Sequence, residues 1–267
     1  MLYIVATPIG NLEDITLRAL RVLGEVDYIA AEDTRRTVKL LNHYEIKTKL
    51  VSFHEHSGDE KRAWILAELE AGRDIALVSD AGTPLISDPG AVLVKEAAQM
   101  GLEMTTLPGA CAAVAAVSLS GHGGAWAFRG FFSKKSGERK AQMARVAESE
   151  IPSVIYESPH ALVKTLGALA EECGDGRDVV VAKELTKLHE RVYMGTLGEA
   201  SSFFTSPVKG EYVIIVDSAP QRAEPTDEEI RALIEQLRTQ GMTKKDAAKA
   251  ASEKLGVRPN RAYRITL

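Results

Sequence analysis

The sequence DIALVSDAGTPLISDPG, residues 74–90, joins a short apolar run to a loop of unusual composition. Residues 74–79 are typical of a buried strand, because apolar side chains follow one another without a helical period. The loop that follows contains two glycines and two prolines between positions 82 and 90, together with Asp80 and Asp88. A turn needs one or two such residues, so this number indicates a backbone that lies close to a ligand.

The same alternation of apolar run and loop extends outward from this stretch. Strands are predicted at 2–7, 26–31, 49–53, 74–79 and 103–107, and helices at 14–23, 34–44, 57–71, 88–100 and 109–120. This order predicts a mostly parallel, doubly wound α/β sheet, which binds ligands beyond the carboxyl ends of its strands. The loops TPIGNLEDIT (7–16), AEDTR (31–35) and LPGACAA (107–113) also follow strands. We therefore expect four loops to converge on one crevice.

The pattern changes at GHGGA, residues 121–125, where three glycines indicate a domain boundary. Beyond it, strands are predicted at 126–132, 153–157, 178–183, 191–196 and 211–217, and helices at 136–150, 159–173 and 197–205. Because only a short helical stretch separates the last two strands, some antiparallel pairing is expected. The predicted domains are an N-terminal α/β domain at 1–120, a second α/β domain at 121–220 and a helical module at 221–267.

The last part of the chain is helical and basic. Thr226 and Glu229 form a capping box, Thr243 opens a second helix that Gly256 ends, and Pro259 starts a third. Such a set resembles a helix-turn-helix. The whole chain has a formal charge of −4, but residues 238–267 hold eight basic and two acidic side chains. A basic module on an acidic body can bind a polyanion, while a solvated helical face is the alternative.

Several classes of protein and site are excluded by missing patterns. The sequence has no GxGxxG after a strand, no GxxxxGK[ST] and no GxSxG. It has no apolar run of the length of a membrane span and no secretion signal at its N-terminus, so a soluble cytoplasmic protein is expected. His54 and His56 flank Glu55, but no third ligand is evident and we expect no metal.

Three motifs of the second half carry candidate chemistry. YESPH (156–160) and KELTK (183–187) follow strands. In KELTK, two cations surround Glu184, an arrangement that serves either catalysis or a structural ion pair. FRGFF (128–132) combines aromatic and basic side chains, as single-stranded nucleic-acid surfaces often do, although core aromatics are the alternative.

The strings TPIGNLEDIT, AEDTR, SDAGTPLISDPG, YESPH and KELTK, in this order, resemble the bacterial ribosomal RNA small-subunit methyltransferase I family, whose fold is similar to that of the tetrapyrrole methylases. The resemblance covers the whole chain. It implies two α/β domains with S-adenosylmethionine in the cleft between them, a homodimer, and methylation of a cytidine ribose 2′-hydroxyl in small-subunit ribosomal RNA or the assembled subunit. This chain departs from the family pattern at Ala110, Cys111 and Ala161, where the family usually has proline, serine and arginine.

The resemblance also implies roles for individual residues. The cofactor cleft would be lined by Pro8, Gly10, Asp80, Ala81, Gly82, Thr83, Pro84, Pro108, Gly109, Ala110 and Tyr156. The catalytic candidates, which would handle the hydroxyl proton, are Asp33, Glu184 and Lys183, with Asp33 as first choice. The candidate RNA contacts are Arg35, Arg129, Lys187, Lys244, Lys245 and Arg261.

Two other functions remain open from the sequence. A tetrapyrrole or diphthine-type methylase would share the fold and the cofactor, but not the basic tail or KELTK. A non-catalytic helix-turn-helix protein that binds nucleic acid would explain the tail, but it would leave the four loops without a role.

Overall fold

The computed structural model describes residues 1–54, 57–205, 207–220 and 225–265. The chain forms two compact units, Met1–Ala219 and Pro220–Leu267. Within the described residues, no helix is long and apolar enough to cross a membrane.

The first sheet is built by the N-terminal half of the larger unit. Its elements are β1 (Leu2–Val5), α1 (Leu17–Glu25), β2 (Tyr28–Ala31), α2 (Thr34–His43), β3 (Lys49–Ser52), α3 (Asp59–Glu70), β4 (Ile75–Val78), α4 (Ala91–Gln99), β5 (Met104–Leu107) and α5 (Ala112–Ser120). The strands lie in the order β3-β2-β4-β1-β5 and every pair is parallel. The predicted doubly wound parallel sheet is therefore confirmed.

The strands of this sheet end at one level. Val5, the last residue of β1, lies opposite both Val78 of β4 and Leu107 of β5, and Ala31 of β2 also pairs with Val78. The four loops that were predicted to converge therefore leave the sheet at the same edge.

Three helices of this half begin three residues later than their apolar periodicity predicts. The helix expected from residue 14 begins at Leu17, because Thr16 caps it. The helix expected from residue 88 begins at Ala91, because Ser87 and Gly90 have φ angles of +68° and +121°, which an α-helix does not contain. The helix expected from residue 109 begins at Ala112. Gly109 instead packs against Ala6, the residue after β1, since a Cβ placed on it would lie 2.7 Å from the Cβ of Ala6.

The second sheet is mixed. Its elements are β6 (Ala127–Phe131), α6 (Ser136–Ala147), β7 (Ser153–Glu157), α7 (Leu162–Cys173), β8 (Asp178–Lys183), β9 (Arg191–Thr196), α8 (Leu197–Phe203) and β10 (Tyr212–Val216). In the order β6-β7-β10-β8-β9, the pair β6–β7 is parallel and the other pairs are antiparallel. The predicted antiparallel pairing is confirmed.

Helix α5 belongs to the first half of the chain but packs on the second sheet. Its Ala113 and Ala116 are buried together with Val154, Val213 and Ile215 of that sheet. The glycines at 121–125 lie between α5 and β6, and the division into domains at 1–120 and 121–220 stays a prediction.

The smaller unit contains the three predicted helices, α9 (Asp227–Thr239), α10 (Lys244–Leu255) and α11 (Pro259–Ile265). Thr226 and Glu229 form the capping box of α9, and Thr243 caps α10. Gly256 ends α10 in the left-handed conformation, with φ +65°. Ile230, Ile234, Ala247, Ala248, Ala251 and Ala262 form the buried core. The small alanine side chains let short helices approach closely.

Candidate active site

A cavity of about 460 Å³ opens at the carboxyl edge of the first sheet. The loop after β2 contributes Glu32 to its wall, the first turn of α2 contributes Arg36, and the loop after β4 contributes residues 80–83 and 86–88. Cys111 and Ala112 lie where β5 leads into α5. The second sheet closes the cavity with Tyr156–Pro159, Leu185 and residues 211–213.

The loop between β4 and α4 is fastened to its neighbours by backbone hydrogen bonds. The N–H of Thr7 donates to the carbonyl of Gly82 at 2.9 Å, and the N–H of Gly82 donates to the carbonyl of Thr7 at 2.9 Å. The hydroxyl of Thr83 donates to the carbonyl of Ala110 at 3.0 Å. Three of the predicted loops are thus joined into one wall, which agrees with the expected convergence.

The predicted cofactor residues fall into two groups. Asp80, Ala81, Gly82, Thr83 and Tyr156 line the cavity. The remaining ones are not among the described residues that line it: Pro8, Gly10, Pro84, Pro108, Gly109 and Ala110.

Some residues of the second group contact residues of the cavity wall, or residues next to it, without lining the cavity. Ala110 accepts the hydrogen bond of Thr83. Gly10 lies against the loop after β8, where a Cβ on it would be 2.5 Å from Cγ of Lys187. At Gly10 the backbone therefore lies close to protein and not to the cavity.

The cavity wall is strongly acidic. Its carboxylate side chains are Glu32, Asp80, Asp88, Glu157 and Glu211, while Arg36 is the one lysine or arginine among the described lining residues. Burial and the nearby charges of Glu32 and Asp80 together raise the pKa of Asp88 to about 7, against a hydrogen bond from Ser79 that lowers it. An unpaired positive charge in a ligand would suit this wall.

Asp88 was missed as an individual site residue by the sequence reasoning, although both aspartates of its loop were noted there. Asp88 is identified only by its surroundings in the tertiary structure. Its carboxyl group is partly buried beside two further carboxylates that come from other positions in the chain, and a sequence pattern does not report such proximity.

Asp33 lies next to the cavity but is not among the described residues that line it. It caps α2, and both its carboxylate oxygens accept hydrogen bonds from the Arg35 guanidinium, at 3.0 and 2.8 Å. These bonds lower the pKa of Asp33 to about 2. Its backbone N–H donates to Asp80 Oδ1 at 2.9 Å, so that this segment holds the Asp80 carboxylate in place. Its catalytic role stays a prediction.

KELTK forms a tight cluster around Lys187. The Lys187 Nζ donates to Glu184 Oε1 at 2.9 Å and to Glu211 Oε2 at 2.8 Å. The pKa of Glu184 is lowered, mainly by the hydrogen bond from Lys187, with a smaller effect of the charge of Lys183. Leu185 is the KELTK residue that lines the cavity among those described, so the cluster fixes the chain beside it.

Tyr156 is held at the boundary between α5 and the second sheet. Its hydroxyl accepts the N–H of Ala113 at 3.1 Å, and its ring meets Phe128 and Phe131 edge to face. Burial raises the pKa of the phenol. Phe131 lines the cavity, whereas the neighbouring Phe132 is buried in the core, so FRGFF contains both an exposed ring and a core ring.

The residues that were predicted to contact RNA differ in their hydrogen-bond partners and in their exposure. Arg129 donates to Ser153 at 3.2 Å and Ser149 at 3.1 Å. Arg261 donates to Asp227 at 2.9 Å and to the carbonyl of Pro225 at 2.8 Å, which ties α11 to the start of α9. Lys244 and Lys245 lie exposed in the first turn of α10.

No group of three histidine, cysteine, aspartate or glutamate side chains that could hold a metal occurs in the described part of the chain. Of the segment His54-Glu55-His56, the residues Glu55 and His56 lie outside the described residues.

Comparisons with known proteins were made by sequence and by structure. The family model of the tetrapyrrole (corrin/porphyrin) methylases matches residues 1–201. The ribosomal RNA small subunit methyltransferase I of Synechocystis sp. is 41% identical, over 100% of this chain and 97% of that protein. The protein of the same name from Halalkalibacterium halodurans is 42% identical, over 99% of this chain and 93% of that protein.

Among solved structures, the fold is similar to uroporphyrin-III C-methyltransferase from Thermus thermophilus complexed with S-adenyl homocysteine. The TM-score is 0.57 at 17% identity, with 80% of this chain and 96% of that chain covered. At this level of identity the likeness shows the fold.

Proposed function

The chain belongs to the tetrapyrrole (corrin/porphyrin) methylases and, within them, to the ribosomal RNA small subunit methyltransferase I family, and from this premise we propose its reaction. The protein methylates a cytidine ribose 2′-hydroxyl in small-subunit (16S) ribosomal RNA, with S-adenosylmethionine as the methyl donor. The observation that carries the proposal is the acidic cavity at the carboxyl edge of a parallel sheet. The RNA substrate is inferred from the names of full-length relatives at about 40% identity.

The residues of the cavity fit the charge of this cofactor. S-adenosylmethionine carries a sulfonium, an ammonium and a carboxylate group, hence a net positive charge, and it has no phosphate. Of the five carboxylates in the wall, Asp80 is paired with Arg36 and Glu211 with Lys187. The remaining excess of negative charge favours such a cation and disfavours a nucleoside phosphate. We assign the cation contact to Asp88, because its carboxyl group is partly buried and lies close to other negative charges. Gly82 and Ala112 would leave room for the ligand beside the backbone.

When bound, the cofactor supplies a methyl group that is open to in-line attack at carbon. The protein must hold the 2′-oxygen on the line of attack, and such positioning lowers a barrier by about 7–11 kcal/mol. It must also direct the hydroxyl proton to an acceptor, which typically contributes about 10²–10⁴-fold. Asp33, Glu184 and Lys183 stay the predicted acceptors, although the lowered carboxyl pKa values of Asp33 and Glu184 make both carboxylates weak bases.

The test is transfer of a labelled methyl group, measured in parallel on assembled small subunits, naked small-subunit RNA and a porphyrinogen. We expect label in RNA, at a cytidine 2′-oxygen after nuclease digestion. Label in the porphyrinogen alone would identify the protein as a small-molecule methylase, and absence of transfer to all three would contradict the proposal.

We propose that the smaller unit strengthens RNA binding through Lys244 and Lys245. Both lie in the first turn of a helix, where positive side chains oppose the helix dipole and lower stability. Lysines at a position that lowers helix stability are explained if their charges bind a polyanionic partner.

The double variant Lys244→Glu/Lys245→Glu should bind small-subunit RNA more weakly, with a shallower salt dependence. Loss of two phosphate contacts reduces the slope of log affinity against log salt by roughly 1.5. Because acidic residues suit a helix N-terminus, the variant should not melt earlier than the wild type. Lys47→Glu, an exposed lysine of the larger unit, is the control. An unchanged salt slope in the double variant would exclude these lysines from the RNA interface.

We further propose that the protein is a cytoplasmic homodimer, as the family resemblance implies. Helix α5 presents Val114 and Leu119 to solvent, each about half exposed, and such an apolar pair suits a face that meets a second copy. Sedimentation equilibrium should give twice the mass of one chain, and Val114→Glu should shift the equilibrium toward the monomer. A wild-type protein that sediments as a monomer at micromolar concentration would contradict the dimer.

A further inference from the structure

A second cavity of about 400 Å³ lies beside the first one in the larger unit. The two cavities share Glu32, Ser87 and Asp88 as lining residues. The other walls of the second cavity come from the segment after β3, from Arg62 of α3 and from the start of α4.

We propose that this second cavity holds the acceptor nucleoside of the RNA, with its ribose against the shared wall. This inference rests on the proposed function. Methyl transfer requires that the donor carbon and the acceptor oxygen meet at about 3–3.5 Å. Because Glu32, Ser87 and Asp88 line both cavities, a cofactor in the first cavity and an acceptor in the second would lie next to each other at these residues.

The size and chemistry of the second cavity suit a nucleoside. Its volume falls within the range of about 300–1,000 Å³ that is usual for small-molecule sites. Phe53 is buried and offers an apolar surface to a base, while His54 and Ser57 offer polar groups. At the shared wall, the carboxylates of Glu32 and Asp88 can accept hydrogen bonds from ribose hydroxyls.

The start of α4 adds backbone donors to the same cavity. Its N-cap is Gly90, which makes no side-chain capping hydrogen bond, and residues 89–93 line the cavity. The N–H groups of a first helical turn have no partner within the helix. They therefore suit a base carbonyl that enters the cavity.

The charge of the second cavity disfavours a phosphate. Arg62 is the one arginine or lysine among its described lining residues. Its guanidinium is bound to Glu96 at 2.7 Å and to Asp59 at 2.9 Å, so its charge is already balanced. The occupant is then an uncharged sugar and base, and the RNA phosphates stay outside the cavity.

The test fills the second cavity with a side chain. Ala91 lies exposed at the start of α4 and lines this cavity, but it is outside the described lining of the first one. We expect Ala91→Phe to lower kcat/KM for small-subunit RNA by roughly 100-fold, as is typical when reacting groups are misplaced. Its affinity for S-adenosylmethionine, measured by calorimetry, should stay close to that of the wild type.

Two variants serve as controls. Ala98→Phe places the same side chain on an exposed position of the same helix, outside the described linings of both cavities, and should methylate RNA normally. Ala91→Ser leaves the cavity open and should also be active. Thermal melting of all three variants shows whether the fold is retained.

Normal RNA methylation by a folded Ala91→Phe variant would overturn the inference, and so would a loss of cofactor binding, because the cavity would then belong to the cofactor. Failure of the proposed function is recognised separately, since the wild-type protein would then transfer no methyl group to RNA.

Discussion

A Gly82→Val variant is expected to show no measurable S-adenosylmethionine binding by calorimetry, while its far-UV circular dichroism stays near that of the wild type. Gly82 lines the cavity with φ +89°, and a Cβ on it would lie 3.3 Å from Cγ2 of Ile9 and 3.6 Å from the carbonyl oxygen of Ala110. The larger valine side chain must therefore enter the space of the ligand or separate the loops that form the wall.

The backbone strain of this change can be separated from its effect on the cavity. Gly72 follows α3 with a similar φ of +83°, and nothing lies within 4 Å of a Cβ placed there. A valine in this conformation costs about 1–2 kcal/mol at either position. Gly72→Val should thus lose similar stability and keep full cofactor affinity. If Gly82→Val also binds normally, this loop is not part of the cofactor site.

An Asp88→Asn variant is expected to bind S-adenosylmethionine roughly 30-fold more weakly than the wild type at a pH above 7, since loss of one partner of a desolvated charge pair costs about 2 kcal/mol or more. The pKa of Asp88 is raised to about 7, and the cationic cofactor prefers the ionised carboxylate. Wild-type affinity should therefore decrease as the pH falls below about 7, by up to about tenfold per pH unit. The variant should show no such decrease.

Asp33→Asn is the matched control for this experiment. The pKa of Asp33 is lowered to about 2, so that this carboxylate stays ionised over the whole range of the titration. Its variant should retain the pH dependence of the wild type. If Asp88→Asn retains that dependence as well, another group holds the cation.

The raised pKa of Asp88 also has a consequence for stability. Between the usual carboxyl pKa and about 7, the folded protein binds a proton that the unfolded chain has released. The contribution of Asp88 to folding is therefore lost as the pH rises through this range, and its charge lowers the stability of the unliganded protein above pH 7. Unliganded Asp88→Asn should melt at a higher temperature than the wild type above this pH, and at the same temperature well below it.

The sequence alone was sufficient for the sheet and for the place of the site. The alternation of apolar runs such as 74–79 with amphipathic segments is a local property, and it determines which segments form strands and which form helices. At 82–90, glycine permits backbone conformations that other residues avoid and proline fixes φ, in any context, so that the loop could be identified without a partner in view. The helices of the tail were likewise predictable, because Thr226 and Thr243 cap them through contacts only three residues long.

The individual roles within the site were decided by the tertiary structure. Glu32 of AEDTR and the next residue after this motif, Arg36, reach the cavity, while Asp33 is held by Arg35. The sequence could not separate these neighbours, because the direction of a side chain at a helix start depends on the sheet against which the helix packs. Lys187 contacts Glu211, a residue 24 positions away. The pKa of Asp88 depends on burial, on Glu32 from another loop and on Asp80 from its own loop. Burial and the distance between charges are properties of the folded chain, and a linear pattern contains neither of them.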